Sequence, residues 1–360
     1  MNGGARRQRA RATIAGLVLA DGLAWPSLWH RLSLLPARRT ERLQEIDVFA
    51  VRMRTTTRAL PYLHASPPQL VDAAGRSDDT EWFAVSALFH TGRGLDGQPT
   101  AEPLGVWAEL ARLRSDDPSS VRARTGTVVA LENLARGLAP PQSGHDNPHY
   151  FDDIACVRAL AAGLQHAGDA GAAARAADTD AQVTHAEDGV WCARATAVLV
   201  AELVDGAPVE RAVAQAAGSL PEGSWSAGVV EAALRAVEAD QPSALALARA
   251  LEQGVVDPLY SFAIAAPETL ALLLAHLRRA AGPEELLLGA LAHPRHADAL
   301  VPLAGAVAGA AFGPAWLPAD LLAEPPVLRG ICVPQLAGQQ LGAVLDIDWD
   351  IDRVEGTTSG

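Results

Sequence analysis

Apolar residues recur at three- and four-residue spacing along almost the whole chain, a period that belongs to helices rather than strands. The spacing predicts helices over about 10–22, 40–60, 78–91, 103–114, 119–137, 151–166, 188–204, 224–239, 242–254, 267–281 and 296–312. Breaker clusters separate them, among them S-D-D-P-S-S from Ser115, A-P-P-Q-S-G-H-D-N-P from Ala139 and L-P-E-G-S from Leu220. No fixed repeat length argues for a solenoid, and no linker is long or polar enough to mark a second domain. β-branched runs are scarce, so the pattern reads as all-α in one compact domain. From Ala299 to Gly313, A-L-V-P-L-A-G-A-V-A-G-A-A-F-G puts small residues on every face and predicts a central helix packed closely on all sides. The tail V-L-D-I-D-W-D-I-D-R-V, Val344 to Val354, alternates apolar and acidic residues and predicts a short edge strand or an extended tail. A calcium loop is rejected there. Ile351 stands where the turn glycine belongs, and Thr357 where the bidentate glutamate belongs.

Composition narrows the function classes. The formal charge of −13 argues against nonspecific nucleic-acid binding, which needs a basic face to displace counterions. All 29 basic side chains are Arg, which excludes a P-loop lysine, a kinase lysine and a Schiff-base lysine; a GC-rich coding bias is the simplest origin. Cys156, Cys192 and Cys332 lie far apart and form no C-x-x-C pair, so neither a zinc site nor a disulfide framework is expected, and a reducing cytoplasm fits. Basic residues precede an apolar run at the N-terminus, as in a secretory leader, but Asp21 interrupts that run. An internal first helix is the better reading. No stretch is long and apolar enough to span a membrane.

The candidate chemistry begins at G-R-S-D-D-T-E-W-F-A-V-S-A-L-F, residues 75–89. Ser77 suits an N-cap, and Asp78, Asp79 and Glu81 suit a first turn, where negative charge meets the positive end of the helix dipole. The same residues suit a hard divalent cation, which takes oxygen ligands from adjacent carboxylates and hydroxyls. Both readings stand on spacing alone.

Four separated pieces together resemble the ADP-ribosylglycohydrolase family, the group that includes the dinitrogenase-reductase-activating glycohydrolases. I-A-G-L-V-L-A-D-G-L-A-W-P, residues 14–26, resembles the family's opening Gly-rich helix with its Gly-Asp pair. S-D-D-T, Ser77 to Thr80, matches its hydroxyl-Asp-Asp-Thr metal motif. V-T-H-A-E-D-G-V-W-C-A-R-A-T-A, from Val183, is similar to its Thr-His segment, and L-A-G-A-V-A-G-A-A-F-G-P-A-W-L-P, from Leu303, to its late Ala/Gly helix. The agreement covers residues 12–323, leaving 1–11 as a basic tail and 324–360 as a C-terminal extension.

The resemblance implies an orthogonal multi-helix bundle and one or two Mg²⁺ (or Mn²⁺) ions held by Ser77, Asp78, Asp79 and a late Asp-x-Asp-Thr motif. That late motif is altered. His296 and Ala299 replace its first aspartate and its threonine, while Asp298 keeps its second aspartate. His296 is then either a ligand for a softer ion such as Mn²⁺ or a packed or surface histidine. The glutamate expected after Pro26 is absent, with Trp25 and Trp29 nearby, and the ribose-loop Asn-Gly has become Asp152, Asp153 and Ile154 before Arg158. Asp21, Asp153 and His185 are the substrate-binding residues the resemblance implies, with Asp153 alternatively a helix cap. The implied activity is metal-dependent hydrolysis of an N- or O-glycosidic bond to ADP-ribose or a related ribonucleotide. Asp79 or Asp298 would take the proton as water attacks the anomeric carbon. The rivals are a non-catalytic relative binding ADP-ribose or an ADP-ribosylated protein, and a biosynthetic enzyme acting on a nucleoside-like molecule.

Overall fold

The computed structural model describes residues 3–31, 78–102, 104–239, 242–257, 264–293, 295–324 and 326–345, with residues 25–31 and Asp78 described by their backbone alone. The expected helix over 40–60, Ser77, the side chains of Trp25 and Trp29, and nearly all of the acidic tail lie outside that description.

The described chain is helical throughout, with isolated bridges and no strand or sheet among the described residues. Thirteen helices of nine or more residues carry it. They are α1 (Gly3–Arg31), α2 (Asp78–His90), α3 (Val106–Asp116), α4 (Thr125–Ala135), α5 (Ile154–Gln165) and α6 (Ala170–Ala181). Then follow α7 (Glu187–Val204), α8 (Val209–Gly218), α9 (Trp225–Glu238), α10 (Ala244–Gly254), α11 (Ala266–Arg279), α12 (Pro283–Leu291) and α13 (Ala297–Phe312). The apolar spacing does not predict α6, α8 or α12. In α6 the buried apolar face is Ala173, Ala177 and Ala181, and a methyl stripe gives little contrast against an Ala-rich background.

The expectation of a central small-residue helix holds. Every residue of α13 from Ala297 to Ala310 is buried, and α1 runs along it. The two backbones touch where side chains are absent. A Cβ on Gly16 would lie 2.1 Å from the Gly305 carbonyl oxygen, and one on Gly309 would lie 2.0 Å from that of Ala12. Gly305 and Gly309, four residues apart, face Ala12, Gly16 and Ala20, so one smooth strip meets another. Residues 3–11 are the first turns of α1, with Arg6 paired to Asp205 and Arg9 Nη1 donating to the carbonyl of Ala311 at 2.7 Å.

A second tie fixes the segment after α13. The Glu81 carboxylate, in the first turn of α2, accepts from the amides of Ile331 (2.8 Å), Cys332 (2.8 Å) and Val333 (2.9 Å). Burial pushes the Glu81 carboxyl up to about 7, against the pull of the surrounding amides. Residues 331–333 therefore pack back onto the helix that carries Asp79.

Gly305→Ala should lower stability by about 2 kcal/mol or more through forced separation of α1 and α13. Gly228→Ala, in open space inside α9, should instead raise it by roughly 0.5–1 kcal/mol, and urea unfolding of the two variants reads the contrast. Glu81→Ala should cost about 2–4 kcal/mol in the same assay, because it strands three inward-facing amides.

Candidate functional site

Helix α2 starts at Asp78, and α1 holds that end in place. Asp21 of α1 accepts from the Thr80 hydroxyl at 2.6 Å and from the Thr80 amide at 3.2 Å. Two groups of the exposed first turn are thereby satisfied by one buried carboxylate. Asp21, expected to bind substrate, thus positions Asp79.

Asp79 faces a guanidinium. Arg124 is the N-cap residue of α4 and is 3 % exposed. Its Nη2 donates to Asp79 Oδ1 at 3.1 Å and to Asp298 Oδ2 at 3.0 Å. Its Nη1 donates to Asp152 Oδ1 at 3.3 Å and to Asp153 Oδ1. Burial alone would favour the neutral form, but Asp153, Asp152, Asp298 and Asp79 outweigh it and hold this guanidinium well above its usual pKa. Asp153 does not cap α5 with its side chain; it accepts instead from Arg124 and, at 2.7 Å, from the Thr269 hydroxyl of α11. Asp152 takes the amide of Ile154 at 2.8 Å.

His185 lies beside this ionic centre. Arg158 of α5 donates to Thr184 Oγ1 at 2.7 Å, and the Thr184 hydroxyl lies 2.7 Å from His185 Nδ1. A hydroxyl proton donated to Nδ1 leaves the ring hydrogen on Nε2. That Nε2 is buried and has no hydrogen-bond partner among the described residues. Burial, then Arg158, push the His185 pKa down to about 3, so the ring is neutral at ordinary pH. The surrounding loop is built tightly. A Cβ on Gly144 would lie 2.4 Å from the His185 carbonyl oxygen, and one on Gly189 would lie 2.3 Å from the Tyr150 carbonyl oxygen. Glu187, two residues on, holds a φ of 45°, which costs a non-glycine residue about 1–3 kcal/mol. Asn147 Nδ2 donates to the carbonyls of Gly126 and Thr184, both at 2.9 Å, and so ties the His185 segment to α4 next to Arg124.

Behind Arg158 lies a structural ion pair. Asp180 accepts from Arg158 Nε at 3.0 Å, the Ser86 hydroxyl at 2.7 Å and Trp107 Nε1 at 3.0 Å, while Arg158 stacks 4.7 Å over the Trp107 ring.

His296 is buried, and its Nε2 lies 2.8 Å from Glu268 Oε2. Its position at the start of α13 puts it near Asp298 in sequence, but its ring goes to a different carboxylate. Of the five expected ligands, Ser77 is outside the described residues and Asp78 is described by its backbone only. Asp79 and Asp298 turn an oxygen to Arg124, and His296 turns to Glu268. Among the described residues, no group of three or more His, Cys, Asp or Glu side chains is placed to hold a metal ion. This arrangement does not fit a divalent ion between Asp79 and Asp298, because a guanidinium nitrogen occupies that place.

The comparisons with known proteins follow this geometry. A family model described as ADP-ribosylglycohydrolase matches residues 2–345. The chain belongs to that family. A solved structure described as an ADP-ribosylglycohydrolase-related protein complex is 20 % identical, with a TM-score of 0.53 over 96 % of this chain and 99 % of that one. That likeness shows the ADP-ribosylglycohydrolase fold. No curated protein matches the chain in sequence. The family associates the chain with glycohydrolase chemistry on ADP-ribose-type substrates.

Sequence reasoning missed Arg124, Glu268 and Asp180, and placed Glu81 in a first turn without its partners at 331–333. The predicted helix over 119–137 hid Arg124: the helix begins at Thr125, which sets this cation at the positive end of the dipole, where it needs a strong partner elsewhere.

The neutral His185 yields a pH prediction with a definite sign. Its folded pKa, about 3, lies below the unfolded value near 6.5, so its contribution to stability is present above pH 6.5 and is lost as pH falls toward 3. Full protonation should cost on the order of 4 kcal/mol. Unfolding titrations from pH 7 to 4 should show a decline that His185→Gln reduces. An unchanged decline in the variant would assign the acid sensitivity to other groups.

Proposed function

We propose that this chain is an ADP-ribose-binding member of the ADP-ribosylglycohydrolase family. The observation that carries this reading is His185, a fully buried, neutral imidazole beside an ionic centre, with its Nε2 left without a hydrogen-bond partner among the described residues. A buried donor without a partner costs about 1–3 kcal/mol, and a ligand acceptor such as a ribose oxygen removes that cost. The binding partner is free ADP-ribose, a related small molecule or an ADP-ribosylated protein.

Hydrolysis of an N- or O-glycosidic bond to ADP-ribose is the second reading, and one observation favours it. Asp79 and Asp298 share a single guanidinium nitrogen, which concentrates negative charge where an oxocarbenium-like transition state gains from it. Each also gives an oxygen to the Arg124 fork, which leaves fewer lone pairs to meet an attacking water. Binding is therefore the better-supported reading. Magnesium or manganese dependence belongs to the hydrolase reading.

Calorimetry with ADP-ribose tests the proposal. Wild type should bind, His185→Ala should bind at least about tenfold more weakly, and His185→Gln, which keeps a side-chain N–H, should lie between. Product analysis with ADP-ribosyl-arginine and ADP-ribosyl-serine accompanies it. Binding without turnover supports the binder, turnover supports the hydrolase, and no binding to wild type removes both.

A further inference from the structure

We infer that Arg124 is a built-in cation standing in place of a divalent metal centre, so that this site is organised without a metal ion. The inference rests on the guanidinium and its partners, and it holds or fails independently of whether ADP-ribose binds.

The carboxylates come from three places distant in sequence. Asp79 lies in the first turn of α2, Asp152 and Asp153 just before α5, and Asp298 in the first turn of α13. A divalent ion bridges such a set by accepting an oxygen from each, at 2.0–2.6 Å depending on the ion. Here one planar group does the bridging, with Nη1 directed at the Asp152/Asp153 pair and Nη2 at Asp79 and Asp298. Arginine is suited to this role. Its charge survives burial, and its fork offers donors in fixed directions to several acceptors at once. Lysine would supply a single point charge and titrates more easily when buried. The changes around the late motif agree with one another. His296, standing where the resemblance puts a metal-binding aspartate, pairs with Glu268, and Ala299 has no oxygen to offer.

The stoichiometry makes the inference testable. Four buried aspartates converge on this guanidinium, so removing it takes away a cation that all four engage. That set has the chemistry of a hard-cation site.

The experiment uses Mn²⁺ alone, on the full chain freed of metal with chelator, followed by calorimetry and thermal unfolding. Wild type should give no stoichiometric heat and no rise in Tm. Arg124→Ala should melt lower than wild type and take up about one Mn²⁺ per chain. At a hundredfold excess over its Kd, the ion should restore about 5 °C of the lost Tm. Arg124→Ala with Asp298→Asn should lose most of that rescue. If the alanine variant does not fold without metal, its recovery from expression with added Mn²⁺, against the double variant, reads the same outcome. Two results overturn the inference. One is stoichiometric Mn²⁺ binding to wild type that Asp79→Asn abolishes. The other is an Arg124→Ala protein that folds, melts lower and gains nothing from Mn²⁺, which would make Arg124 an ordinary buried ion-pair residue.

Discussion

Everything around the candidate site depends on how four buried aspartates are kept together. Like charges in a low-dielectric interior repel strongly, and an isolated buried carboxylate costs several kcal/mol. Arg124 supplies the attraction that holds Asp79, Asp152, Asp153 and Asp298 within reach of one another. Through it α4 is joined to α2, to the start of α5 and to α13, residues 28 to 174 positions apart. Thr269 then joins α11 through Asp153. The ionic centre is thus also a tertiary junction, and the bundle cannot shift one of these helices without breaking a charged hydrogen bond.

Such a junction needs rigid supports, and these are apolar. The glycine strips of α1 and α13 let two backbones meet with no side chain between, which fixes the height of Asp298 relative to Asp21. Asp21 in turn fixes the first turn of α2 through Thr80. Three successive amides on Glu81 anchor the other side of that turn. Asp79 is therefore clamped from α1 and from the C-terminal segment before any ligand arrives, as a preorganised site requires.

The parts of this design that were legible in the sequence are those written in local pattern. The small-residue helix, the helix start at D-D-T and the Thr-His segment each occupy one short window, and their spacing led to the right fold and family. Arg124 was not legible in the same way, because its meaning lies in partners from three distant windows. Nothing within V-R-A-R-T-G-T distinguishes it from Arg122 except its place at a helix start. His296 had two readings, a metal ligand by its place in the late motif or a packed or surface histidine; it is packed, and the turn before α13 sends its ring to Glu268 on α11. Short helices such as α6 escaped because alanine faces carry packing without contrast.

The charge balance also constrains how any ligand could enter. Among the described residues, four aspartates meet one guanidinium, a surplus of acidic groups at that point. An ADP-ribose-type molecule brings a negatively charged diphosphate, which that surplus repels. Its ribose hydroxyls, by contrast, are neutral donors, and carboxylate oxygens are acceptors. A neutral His185 adds a donor without adding charge, so it can meet a ribose oxygen without drawing the phosphates inward. With ADP-ribose as the proposed ligand, the same electrostatics favour ribose toward the aspartates and the diphosphate away from them.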